Sequence, residues 1–94
     1  MKKIYLDSDD LKIVEEILKD YKDVYVFGSR ATGKHKKFSD LDLFFKQSIP
    51  DYEEQLLKEK FEKSNLPFTV DIVFYDKVSD YLKNAIDKEA IKLK

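Results

Sequence analysis

Apolar residues recur along this chain at two spacings, and the switches between them lay out its elements. In residues 8–21, Leu11, Val14, Leu18 and Tyr21 fall at helical spacing, with Ile13 and Ile17 widening the stripe. One helical face is therefore apolar, and Asp7 or Ser8 stands before it as an N-cap. "DVYVFGS" is a short β-branched and aromatic run stopped by Gly28, which predicts a strand covered on both faces. A short helix is expected from Ser29, whose small polar side chain can cap it while backbone N–H groups point outward. "SDLDLFF" alternates, with Leu41, Leu43 and Phe45 on one face and Asp40, Asp42 and Phe44 on the other, as a period of two requires. Pro50 opens a further helix on which Tyr52, Leu56, Leu57 and Phe61 repeat until "SNLP" ends the pattern. "FTVDIVFY" predicts a third strand of high hydrophobicity with one acid inside it, and Leu82, Ala85, Ile86, Ala90 and Leu93 mark a closing helix after Ser79. The expected order is αβαβαβα: one α/β (α+β) domain over residues 1–94, with a small mixed three-stranded sheet and helices packed on it.

Composition narrows what such a domain can do. At 94 residues there is room for one modest core and no second substrate domain. Hydrophobic residues at 43% and charged residues at 39% describe a globular chain rather than a disordered one. The amino-terminal "MKKIYLDSDD" lacks the apolar stretch of a signal peptide, so neither export nor membrane insertion is expected and a cytoplasmic place is. With no cysteine and one histidine, disulfides, thiolate sites and His-rich zinc sites are excluded, and any metal must sit on oxygen. A net charge near −1 argues against general nucleic-acid binding, which usually draws on a strong basic excess.

Two phosphate signals overlap in residues 27–45. From Gly28 to Lys34 the chain reads G-x-x-x-x-G-K, most of a P-loop, but the next residue is His35 where a Ser or Thr should reach Mg²⁺. The apolar stripe of a long following helix is also missing. The other reading starts from Asp40 and Asp42, which stand two apart on a strand, so their carboxylates leave one face with Cα atoms about 6.5–7 Å apart. Such a like-charge pair is tolerated in a half-buried strand when a divalent cation neutralises it. Asp71 interrupts a hydrophobic strand, where an unpaired carboxylate is costly. Carboxylates on adjacent strands can hold two ions in phosphoryl or nucleotidyl transfer. Gly28 lets a phosphate approach the backbone, Ser29 and nearby N–H groups can bond its oxygens, and Arg30 is a candidate cationic fork for it.

Gly28-Ser29, ten intervening residues, then Asp40-Leu41-Asp42-Leu43 resembles the signature of the DNA polymerase β-like nucleotidyltransferases, with Asp71 at the place of their third carboxylate. "GSRATGKHKKFSDLDL" is similar to the family's GSRA-x-G…SD-x-DL pattern, and the resemblance, to minimal members with little beyond the catalytic core, spans nearly the whole chain. Thr32 stands where many relatives have Arg, and Phe74 where many have an acid. The resemblance implies that Asp40 and Asp42 bind two Mg²⁺ ions, with Mn²⁺ as an alternative, and that Asp71 binds the catalytic one and assists deprotonation of the acceptor. It further implies that Gly28 and Ser29 hold the β,γ-phosphates of ATP, from which AMP passes to a hydroxyl. Minimal members are commonly antitoxins paired with a HEPN-domain RNase toxin, so transfer to a toxin tyrosine within a hetero-oligomer is expected. An antitoxin that only binds its toxin, or an enzyme acting on a small molecule or RNA end, are the alternatives. A domain this short offers little wall for an acceptor, and Tyr52, Tyr75 and Tyr81 are candidates for a partner surface.

Overall fold

A computed structural model describes residues 3–94, so the first two residues of the amino-terminal stretch lie outside it. Helix α1 runs over Ser8–Ile17, strand β1 over Val24–Phe27, α2 over Ser29–Thr32, β2 over Leu41–Phe45, α3 over Asp51–Glu62, β3 over Val70–Phe74 and α4 over Asp80–Glu89. A last short strand, β4, covers Ile91–Lys92. The sheet is therefore four-stranded, in the order β3-β2-β1-β4, where three strands were expected. The apolar spacing ran on through Ala90 and Leu93, but the chain turns extended at Ala90 and pairs antiparallel with β1. At this point the pull of an open sheet edge outweighs helical spacing.

β1 pairs antiparallel with β2 and β2 pairs parallel with β3, with α3 forming the crossover that parallel strands need. Alternation holds on β2, where Leu41, Leu43 and Phe45 enter the main core, and on β3, where Val70, Ile72 and Phe74 do so. Val14 and Leu18, Val24 and Val26, and Leu57 and Phe61 complete that core from α1, β1 and α3. Phe44, on the opposite face of β2, is buried as well and meets the ring of Tyr75 at 5.8 Å. Burying a side chain of this size favours the fold by about 1.5–3 kcal/mol.

Helix ends follow local chemistry only in part. The Ser79 hydroxyl accepts from the Leu82 N–H at 3.2 Å and caps α4. Asp7 stands before α1 without capping it through its side chain, and Gly28 rather than Ser29 is the residue before α2. α1 stops at Ile17, so Tyr21 lies beyond it and donates its hydroxyl to Glu53 of α3 at 2.7 Å. Tyr52 and Leu56, expected on the apolar stripe of α3, are exposed, because α3 turns only Leu57 and Phe61 fully inward. Among the described residues no helix is long and apolar enough to cross a membrane.

Candidate active site

Topology gathers the candidate residues at one end of the sheet. β1 leaves there, while β2, β3 and β4 all begin there. Register sets Asp42 opposite Phe27 on one side and opposite Asp71 on the other, so the last residue of β1 and both carboxylates lie on one rung of the sheet. In-register neighbours point to the same face of a sheet, and on β3 that face also carries Val73 opposite Phe44.

Immediately after β1 the chain turns at Gly28, with φ 74° and ψ −153°. That region is open essentially to glycine alone. A Cβ there would also run into the Asp42 carboxylate, so glycine's small size is what lets the turn lie against the acid. The Gly28 carbonyl accepts from the Ala31 and Thr32 N–H groups at 3.0 and 3.1 Å, starting α2, whose Ser29 is half-buried. Four residues of helix end at Gly33 in the left-handed conformation, and Lys34 beyond it is exposed. The long helix that a P-loop needs is not formed.

Arg30 has partners other than the phosphate that the sequence suggested. It is 4% exposed; its Nε donates to the Ser39 carbonyl at 3.0 Å, Nη1 to the Tyr5 carbonyl at 3.0 Å and Nη2 to the Lys37 carbonyl at 3.2 Å. Its guanidinium also lies 4.2 Å from the Phe68 ring centroid. A buried charge is costly unless its hydrogen bonds are met, and here the planar fork meets them with carbonyls and an aromatic face. Arg30 thus pins the loop between α2 and β2, including the residue before Asp40, to Tyr5 and to the segment entering β3. In the same loop the Ser39 hydroxyl accepts from the Lys36 N–H at 2.7 Å, and His35 lies over Tyr5 with ring centroids 5.3 Å apart.

The carboxylates feel one another. The Asp42 carboxyl is pushed above its ordinary value of 3.8, first by burial and then by the charges of Asp71, Asp40 and Glu89. Asp40 and Asp71 are exposed and Asp42 is half-buried. Among the described residues, no three acidic or histidine side chains are drawn together tightly enough to enclose an ion as they stand. The backbone nonetheless puts Asp42 and Asp71 on one rung of adjacent strands, about 5 Å apart, within reach of side-chain rotation. Hard oxygen donors carrying excess negative charge fit Mg²⁺ or Mn²⁺ by type.

Glu89 is the residue that sequence reasoning missed. It accepts from the Gly28 N–H at 3.0 Å across 61 residues of chain. Its one local signal is an acid in the last turn of a helix, where the macrodipole disfavours negative charge. Beside Asp71, a groove of about 490 Å³ is lined by Lys58, Phe61, Glu62, Leu66 and Phe68.

A small mixed sheet with a Gly-Ser turn after one strand and carboxylates on the next two is the arrangement that the resemblance to nucleotidyltransferases leads one to expect. The chain belongs to that family: the nucleotidyltransferase domain model matches residues 11–93. It is also similar to a protein of Haemophilus influenzae (strain KW20 / Rd) named probable protein adenylyltransferase MntA, with 40% identity over 89 residues, covering 88% of this chain and 77% of that protein. The protein is thus a nucleotidyltransferase enzyme.

Proposed function

We propose that this nucleotidyltransferase moves AMP from ATP to a hydroxyl on a partner protein, and that the acceptor is a tyrosine of a HEPN-domain RNase toxin for which this chain is the antitoxin. The observation that carries the reading is the in-register pair Asp42–Asp71 beside the Gly28 turn. The adenylyltransferase name of the Haemophilus relative supports AMP as the group and protein as the acceptor. A cytoplasmic setting belongs to the same reading, since both ATP and an RNase target are found there.

In this mechanism Gly28 and Ser29 hold the β,γ-phosphates, the glycine by letting them approach its backbone and the serine by its hydroxyl. Asp40 and Asp42 would hold two divalent cations and Asp71 one of them. When bound, the cations offset the charge that develops on the phosphate oxygens. Asp71 takes the proton of the acceptor hydroxyl. That oxygen forms a bond to the α-phosphorus as the bond between the α-phosphorus and the α,β-bridging oxygen breaks, and pyrophosphate leaves with that electron pair. The protein contributes mainly position and fixed charge. Arg30 serves indirectly, by holding the loop that ends at Asp40.

The groove beside Asp71 is open, and Tyr52, Tyr75 and Tyr81 are 70%, 40% and 86% exposed. Both features favour an acceptor delivered by another protein, whose surface closes the site. Incubation with labelled ATP, Mg²⁺ and the cognate toxin tests the reading by mass spectrometry: the toxin should gain the mass of one or more AMP units. Full neutralisation without any mass gain would leave an antitoxin acting by contact alone. Label appearing instead on a small molecule or an RNA end would reassign the acceptor.

A further inference from the structure

Gly28 donates its N–H to the Glu89 carboxylate, although the proposed mechanism brings phosphate oxygens to this turn. We infer that Glu89 is an internal competitor for the nucleotide: its carboxylate covers the Gly28 N–H in the resting protein and must swing away before a triphosphate can seat. The inference rests on the nucleotidyl-transfer reading of the Gly28 turn and adds a control to it.

Sheet geometry explains why Glu89 arrives there. Tyr25 pairs with Lys92 and Val26 with Ile91; continuing that antiparallel register by two residues sets Gly28 opposite Glu89. The ladder does not continue as backbone, because Glu89 is the last residue of α4 and Ala90 makes the turn into β4. The side chain of Glu89 fills the rung that its backbone would have filled. Pairing of β4 with β1 therefore anchors the base of Glu89, while rotation about its side-chain bonds is enough to release the tip.

The contact is built to be exchanged. A charged acceptor on a backbone N–H is a strong hydrogen bond, so the carboxylate holds the turn in the absence of nucleotide. The same carboxylate adds negative charge beside Asp42, which already faces Asp71 and Asp40. A triphosphate arriving with cations brings the counter-charge that Glu89 lacks. It replaces one oxyanion on the N–H with another and lets Glu89 leave a crowded acidic site for solvent.

Calorimetric titration of the full chain with ATP and Mg²⁺, for wild type, Glu89→Ala and Glu89→Gln, tests the inference. Glu89→Ala should bind about tenfold more tightly, the scale set by one charge-assisted hydrogen bond that no longer has to be broken. Glu89→Gln keeps an acceptor but loses the charge, so it should fall between the two, and it carries the test if the alanine variant folds poorly. In the transfer assay the variants should show lowered KM with kcat retained, and the Gly28 amide resonance of the nucleotide-free protein should move in Glu89→Ala. Wild-type affinity in both variants overturns the inference alone, as does a fall in kcat at unchanged KM, which would put Glu89 in the reaction itself. If wild type and both variants all fail to bind ATP in the presence of Mg²⁺, the reading of the site falls and the inference with it.

Discussion

At the scale of single residues, the site depends on two side chains acting in opposite ways, one by being absent and one by carrying charge. Gly28 sits where only glycine is comfortable, and its missing Cβ is the space taken by Asp42. Gly28→Ala should therefore lose about 1–3 kcal/mol of stability through backbone strain, seen as a lower Tm, and should abolish transfer by displacing Asp42. Asp42 shows the opposite economy. Its folded-state pKa is raised, so the folded protein binds that proton more tightly than the unfolded chain does. Stability linked to Asp42 is then full at pH below the unfolded value and is lost as pH rises through it toward the folded value. Asp42→Asn, which cannot ionise, should raise the Tm of the metal-free protein at neutral pH, and the gain should vanish as pH falls below the ordinary value of 3.8. Melting curves of the two proteins across pH, in the presence of a chelator, check the sign; transfer by the variant should be lost throughout.

Among the elements, the loop between α2 and β2 decides whether Asp40 and Asp42 are presented together, and Arg30 decides the loop. Its donors reach three carbonyls, two in that loop and one in the segment before α1, which a lysine ammonium cannot match with a planar fork. Arg30→Lys should therefore lower stability by about 1–3 kcal/mol through unmet buried carbonyls, readable in urea denaturation, with a fall in transfer that follows the loss of loop order. A side chain whose only task was to grip phosphate would instead weaken nucleotide binding and leave the urea midpoint unmoved. β4 is the other decisive element. Although two residues long, it fixes the end of α4 against β1 and so brings Glu89 to Gly28.

For the molecule as a whole, a net charge near −1 hides a concentrated acidic site at one end of a four-stranded sheet. Ligands that supply positive charge there should stabilise the fold, since binding to the native state alone adds about 2.7 kcal/mol at a concentration of one hundred times Kd. ATP with Mg²⁺ should accordingly raise the Tm, a chelator should reverse the shift, and Asp42→Asn should abolish it. Thermal scans with each component omitted in turn distinguish this from a nonspecific salt effect, which would appear equally in the variant. A groove lies beside Asp71 and tyrosines turn outward from α3, α4 and the segment after β3, the surface against which the proposed acceptor protein would dock.

Local pattern alone marked the presence of the helices, the first three strands and the faces of β2, though not where α1 and α4 end, because a period of two or of about 3.6 is written in consecutive residues. It also marked Gly28, Asp40, Asp42 and Asp71, whose types and spacing stand out from the residues around them. Tertiary structure decided the rest. That Asp42 and Asp71 lie side by side on adjacent strands, that Arg30 faces carbonyls inside the fold, that Ile91 and Lys92 form a fourth strand and that Glu89 reaches Gly28 are all consequences of how distant segments pack and pair. Register is set by which faces can be buried together and by which sheet edge is left open, and neither is a property of any short stretch of chain.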